Sequence, residues 1–228
     1  MISDIIDSLL INNDFTTALF KTLTFARRIG NSDLADWVSR ELNGYGKVTL
    51  PSYRYCKTSV LAVMGHGDNN ITPESPLPMS CFSKEWQAMI MKKPFNESIA
   101  SLEVLTKSDG QYIGKEFAAD MCKFLTAEAN KKGCRFSIIS CRQLVTISEI
   151  TGLITAAKTQ LLELLLQIEQ EYPLANPLIA TPDEKRIINE TINNHISHIY
   201  NINTSGDGGI INTGSDNDIL TNNNVKND

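Results

Sequence analysis

The chain has no CxxC pair, no GxxxxGK[ST] loop, no GxGxxG and no GxSxG. These absences remove the usual signals for zinc ribbons, phosphate cradles, dinucleotide sites and nucleophile elbows. Histidine is scarce: there are 3, and His66 is the one outside the C-terminal region. No apolar run reaches the roughly 18–20 residues that a spanning helix needs. The opening MISDIIDSLL has no basic start and no cleavage site, so a secretory signal is not expected. Positive charge is not in excess, with 21 Lys and Arg against 26 Asp and Glu and a formal net charge of -5. Nonspecific nucleic-acid binders are usually basic overall, so nucleic acid stays open as a partner only through a local patch. These features predict a soluble cytoplasmic protein with no cofactor and no membrane contact.

Cysteine is present but sparse. Cys56, Cys81, Cys122, Cys134 and Cys141 are odd in number and widely spaced. The expectation is free thiols in a reducing compartment, mostly buried as small apolar residues.

What the chain has is helix. The stretch Ile147–Tyr172 opens with Thr146 and Glu149 in capping-box spacing and is stopped by Pro173. Leu153, Ile154, Ala157, Leu161, Leu164, Leu165 and Ile168 recur at helical spacing, and Leu162 and Leu166 widen that face. So little polar surface requires partners on most sides, which predicts a central helix. Three short helices precede it at the N-terminus, capped by Ser3, Asp14 and Ser32; Gly30 ends the second and Gly44 the third. Leu34, Trp37, Val38 and Leu42 would complete a bundle with the central helix.

After Gly44 the composition turns to Tyr, Val, Thr and Gly. Ser59–Met64 reads as a strand, begun by Tyr53–Lys57, and His66–Met79 reads as a loop with three prolines. Ser83 caps a helix that Pro94 interrupts; 97–107 and Lys115–Lys131 are further helices; Arg135–Ser140 is a second strand. The expected fold class is α+β, mainly α: a helical bundle with a small two- to three-stranded sheet. The expected division is a helical domain over 1–173, a Pro-rich linker over 174–183, an amphipathic helix over 184–200 capped by Asp183, and an Asn/Gly-rich β-repeat tail over 201–228.

Ile188, Ile192, Ile196 and Ile199 form a narrow stripe on that last helix, suited to self-association or to docking on the domain. The tail holds a nine-residue repeat. Ile202-Asn203-Thr204 ends in Ile210-Ile211, and Ile211-Asn212-Thr213 ends in Ile219-Leu220. Each copy offers a short β segment that cannot bury its aliphatic pair alone, so stacking between chains would stabilise it. This predicts a homo-oligomer.

Leu34-Ala35-Asp36-Trp37-Val38, Glu41-Leu42-Asn43-Gly44-Tyr45 and Leu50-Pro51-Ser52-Tyr53-Arg54 resemble the AbiTii domain of bacterial abortive-infection systems. That family carries a pattern like LxxWxxxELxGY…LPxYR after two helices. The Ser98–Leu105 segment and the Leu-rich helix before Tyr172-Pro173 also look like their counterparts, and the resemblance spans roughly residues 1–175. It implies phage defence in which an infected cell is sacrificed or arrested, and it brings no catalytic residues. The tail is similar in style to prion-like motifs of bacterial immune signalling proteins. The motif also has an architectural account: Trp37 anchors a core, Gly44 ends a helix, Pro51 and Tyr53 turn the chain toward the sheet, and Arg54 bonds helix-terminal carbonyls or pairs with Glu41.

The functional expectation is a noncatalytic interaction protein of antiphage defence that self-assembles through its C-terminal helix and repeat. A second defence-system protein or a phage component would be its other partner. The alternatives are a toxic enzyme such as a nuclease, using carboxylates such as Glu41, Glu103 and Glu116, or a nucleic-acid-binding module whose face would draw on Lys21, Arg27, Arg28 and Arg40 together with Arg54, Lys57, Lys92, Lys93, Lys131 and Lys132. His195 and His198 have the spacing of a metal pair but no third ligand, so they read as solvated helix residues.

Overall fold

The structure, a computed structural model, describes residues 1–11, 13–67, 70–172 and 180–200. In chain order it has α1 (Ile2–Leu10), α2 (Phe15–Ile29), α3 (Ser32–Asn43), β1 (Tyr55–Lys57), β2 (Ser59–His66), β3 (Asn70–Pro76) and α4 (Lys84–Ile90). Then follow β4 (Lys92–Pro94), α5 (Ile99–Leu105), β5 (Tyr112–Glu116), α6 (Ala119–Lys131), β6 (Ser137–Thr146), α7 (Ile147–Glu171) and α8 (Pro182–Tyr200). Among the described residues the chain divides into two compact units, one of Met1–Ser52 with the described residues from Lys158 on, the other Tyr53–Ala157. The α+β, mainly helical class is as expected. The division does not follow chain order, because the second half of α7 and α8 belong with the N-terminal helices.

The first unit holds α1, α2, α3, the second half of α7, and α8. Asp14 starts α2 by accepting the Thr17 N–H at 2.9 Å. Gly30 ends α2 at φ +81°, a left-handed conformation that glycine adopts without a Cβ penalty. The cap of α3 is Asn31 and not Ser32: its Oδ1 accepts the Leu34 N–H at 2.7 Å. The cap of α8 is Thr181 and not Asp183. Thr181 Oγ1 accepts the Glu184 N–H at 3.3 Å while Glu184 Oε2 accepts the Thr181 N–H at 2.7 Å, a reciprocal box with Pro182 at the first helical position.

The stripe Ile188, Ile192, Ile196 and Ile199 is buried. α8 lies against α3, and Asn31 on one side bonds Asn189 and Asn193 on the other. Burying each isoleucine contributes about 1.5–3 kcal/mol, so docking on the chain itself is the use this stripe finds. Thr191 bonds Glu171, and His195 bonds the Gln160 carbonyl, which ties α8 to α7. Along α7 the expected face is buried from Leu153 to Ile168, but Leu166 is 46% exposed and does not widen it.

The second unit is built on a four-stranded antiparallel sheet ordered β3-β2-β6-β5. Val60, Ala62, Met64, Ile138 and Cys141 point to one face and pack with Cys122, Leu125 and Ala129 of α6. The sheet is larger than expected. The presumed loop His66–Met79 contains β3, and the presumed start of a helix at Lys115 is the end of β5. Both are edge strands with mostly exposed residues, so neither shows the alternation that marks a half-buried strand. β1 pairs separately with β4.

Cys81 and Cys134 form a disulfide with a Cα–Cα distance of 6.1 Å, against the expectation that all five cysteines are free. Their separation of 53 residues gave no hint, since spacing alone does not reveal pairing. Cys56, Cys122 and Cys141 are free and buried as expected.

Candidate functional site

The family-type motif is mostly interior. Trp37 is 1% exposed, and Glu41 and Arg54 are fully buried. In the first unit, Tyr45 Oη donates to Glu41 Oε1 at 2.5 Å. Tyr200 lies near the same group; burial pushes its phenol up, and Arg40 opposes the shift. Gly44 ends α3 with φ +93°, while Leu42 is half-buried and Pro51 buried. In the second unit, Arg54 Nη1 donates to the Glu97 carbonyl at 2.8 Å, just before Ser98 caps α5, and Phe95 N–H donates to the Arg54 carbonyl at 2.9 Å. The arginine thus fastens the segment that leads into α5. Buried charges of this kind are costly to strip of a partner, which fits an architectural motif.

Tyr53 is different, because it is half-buried and lines a cleft of about 290 Å³ in the second unit. Tyr55, Cys56, Ser148, Glu149, Gly152, Leu153 and Ala156 complete the lining. β1 places Tyr55 and Lys57 beside the first turn of α7. Thr146 Oγ1 accepts the Glu149 N–H at 3.1 Å, as the capping spacing predicts. The Glu149 carboxylate does not reach back; it accepts the Lys57 N–H at 3.2 Å and so joins the ribbon to the helix.

The β1–β4 register sets Lys57 directly opposite Lys92 and Cys56 opposite Lys93. Like charges face to face destabilise a strand pair. Lys92 is partly accommodated by its ammonium lying 4.3 Å from the Tyr55 ring centroid, and Lys93 lies 4.9 Å from that of Phe95. This tyrosine–lysine ribbon was not legible in the sequence, where Lys92 and Lys93 read as the tail of a helix. Burial, helped by Glu149 and opposed by Lys93, pushes the Cys56 thiol up to about 11, which disfavours the thiolate.

A second, open cleft of about 620 Å³ lies between the end of β2 and the start of β6, lined by His66, Asn130, Cys134, Arg135 and Phe136 among others. His66 Nε2 pairs with Thr72 Oγ1 at 2.8 Å and its ring stands edge-on to Phe136. Histidine and cysteine do share this cleft, but the Cys134 sulfur is held in the disulfide.

Of the carboxylates considered for a nuclease, Glu41 is on α3 in one unit, and Glu103 on α5 and Glu116 on β5 are in the other. Among the described residues no three His, Cys, Asp or Glu side chains group as metal ligands, and no helix is long and apolar enough to cross a membrane. His195 is turned onto Gln160, with burial lowering its pKa. Of the expected self-association residues, Ile188, Ile192, Ile196 and Ile199 are interior, while Ile202, Ile210, Ile211, Ile219 and Leu220 lie outside the described residues.

Comparison with curated proteins and with solved structures finds no match. The AbiTii family model matches residues 1–194, which runs from α1 through most of α8. The chain therefore belongs to the AbiTii family, which places it in abortive-infection phage defence.

Proposed function

We propose that the chain serves abortive infection as a noncatalytic interaction protein that self-assembles through residues 201–228. The observation that carries this reading is the repeat itself: two I-N-T copies nine residues apart, each ending in an aliphatic pair. Since α8 buries its isoleucine stripe within its own unit, assembly falls to Ile202, Ile210, Ile211, Ile219 and Leu220. Segments of this kind gain stability when copies stack and their backbones pair. A second defence protein or a phage component would be the chain's other partner. Pro at both Ile202 and Ile211 removes ladder donors at the start of each copy. Assembly and phage protection should both fail in that double variant; retention of both would refute the tail's role.

A second reading, contact with nucleic-acid phosphates, is favoured by the Lys57–Lys92 juxtaposition beside Tyr55. Salt-dependent retention on single-stranded nucleic acid, weakened by Lys57→Ala and Lys92→Ala, would support it.

A further inference from the structure

β5 is a sheet edge that the described chain leaves open. β6 pairs with one side of it, from Tyr112↔Thr146 to Glu116↔Arg142, and no strand among the described residues lies on the other. The bonding pattern is set at both ends: Ile147 N–H donates to the Gln111 carbonyl at 3.0 Å, and Phe117 N–H to the Cys141 carbonyl at 2.9 Å. Successive residues in an antiparallel strand bond to opposite sides. Residues 111, 113, 115 and 117 therefore turn their backbone groups toward β6. Tyr112, Gly114 and Glu116 turn theirs outward.

The two edges of the sheet are unlike. β3 carries Pro73 and Pro76, which lack donors and blunt an edge. β5 has no proline, and Tyr112, Gly114, Lys115 and Glu116 are all exposed.

We propose that β5 pairs antiparallel with β5 of a second copy of this chain, centred on Gly114, so that the two sheets become one. A two-fold axis makes such an interface self-complementary. In this register Gly114 faces Gly114, Tyr112 faces Glu116 and Ile113 faces Lys115, each pair occurring twice except the first. The outward groups of Tyr112, Gly114 and Glu116 are then all bonded. Neither Lys115 nor Glu116 meets a like charge. Centring on Lys115 or on Glu116 would set that charge against itself, which is destabilising. Gly114 places no side chain at the axis; a Cβ there would already meet Leu144 Cδ2 at 3.0 Å. The interface uses nothing from residues 201–228, so it stands apart from tail assembly.

The test uses the full chain. Sedimentation of the full chain carrying Pro at Ile202 and Ile211, which keeps tail assembly out of the readout, should show a reversible dimerisation step over a concentration series. Tyr112→Pro removes one outward donor at the first strand position, leaves the bonds to β6, and should weaken that step about tenfold or more. Register is tested separately by Ile113→Cys and Lys115→Cys. In the non-bonded pair their Cα atoms would approach to about 4.5 Å, within disulfide range. Mixing the two variants under mild oxidation should give an interchain disulfide at those positions that neither variant forms alone. The proposal is overturned if the mixture cross-links no more than the separate variants, or if a folded Tyr112→Pro chain dimerises like the unaltered one. Failure of the tail to assemble would leave both of these readouts unaffected.

Discussion

The side-chain amide of Asn31 donates to Asn193 Oδ1 at 2.8 Å while the oxygen of the same group caps α3 through the Leu34 N–H at 2.7 Å. One buried residue thus starts a helix near the N-terminus and holds α8 against it. Asn189 takes a second bond from the same amide at 3.0 Å. Asn31→Ala should cost about 2 kcal/mol, combining a lost cap with unpaired amides on α8. Denaturant unfolding measures it. A loss of only a few tenths would mean that α8 does not depend on this link.

Tyr45 tests whether the family motif is architecture. Its hydroxyl bonds the fully buried Glu41 carboxylate at 2.5 Å. Tyr45→Phe should cost about 1.5–3 kcal/mol, the range for bonds to charged groups. Protection against phage should fall only as far as folded protein falls. An unchanged unfolding curve with lost protection would instead make the motif a contact surface.

His195 gives the chain a pH dependence on the acid side. Burial lowers its pKa, the neighbouring His198 adds to that, and Glu163 and the Gln160 carbonyl oppose it. The unfolded chain therefore binds the proton more readily. This contribution is fully present above the ordinary value of about 6.5 and declines as pH falls through the folded pKa. Between about pH 7 and about pH 5 the unaltered chain should lose more stability than His195→Gln does. Parallel slopes would contradict the buried placement.

The cysteines separate by chemistry. In the oxidised, denatured chain three thiols should be alkylated, Cys56, Cys122 and Cys141, and all five after reduction. In the folded chain at neutral pH, alkylation should be slow: burial drives Cys56 to about 11, and burial with its neighbour Cys122 drives Cys141 to about 12. Opening Cys81–Cys134 should lower stability by about 2–4 kcal/mol, the usual range for a loop of such length. Rapid labelling of Cys56 in the folded chain would contradict this arrangement.

The helices were legible because their signals are local. Asp14, Gly30, Ser83 and the Thr146–Glu149 spacing act within one turn, and each sits where the sequence placed it. Caps were misjudged where two candidates adjoin, as at Asn31 and Ser32, because tertiary contacts with Asn189 and Asn193 decide between them. β3 and β5 were missed since an exposed edge strand needs no alternation, and Pro73 and Pro76 are tolerated at an edge. The disulfide and the Lys57–Lys92 ribbon join residues far apart in sequence, and no local pattern encodes them. The dual aptitude of the α8 stripe was visible, but its burial depends on α3, some 150 residues earlier in the chain.

Light scattering after size exclusion, on the full chain and on a chain ending at Tyr200, tests the central claim most directly. Ending there preserves α8, whose removal would expose the face of α3 it covers. The account predicts higher-order assemblies from the full chain and nothing larger than a dimer once residues 201–228 are gone. Identical size distributions for the two chains would contradict it.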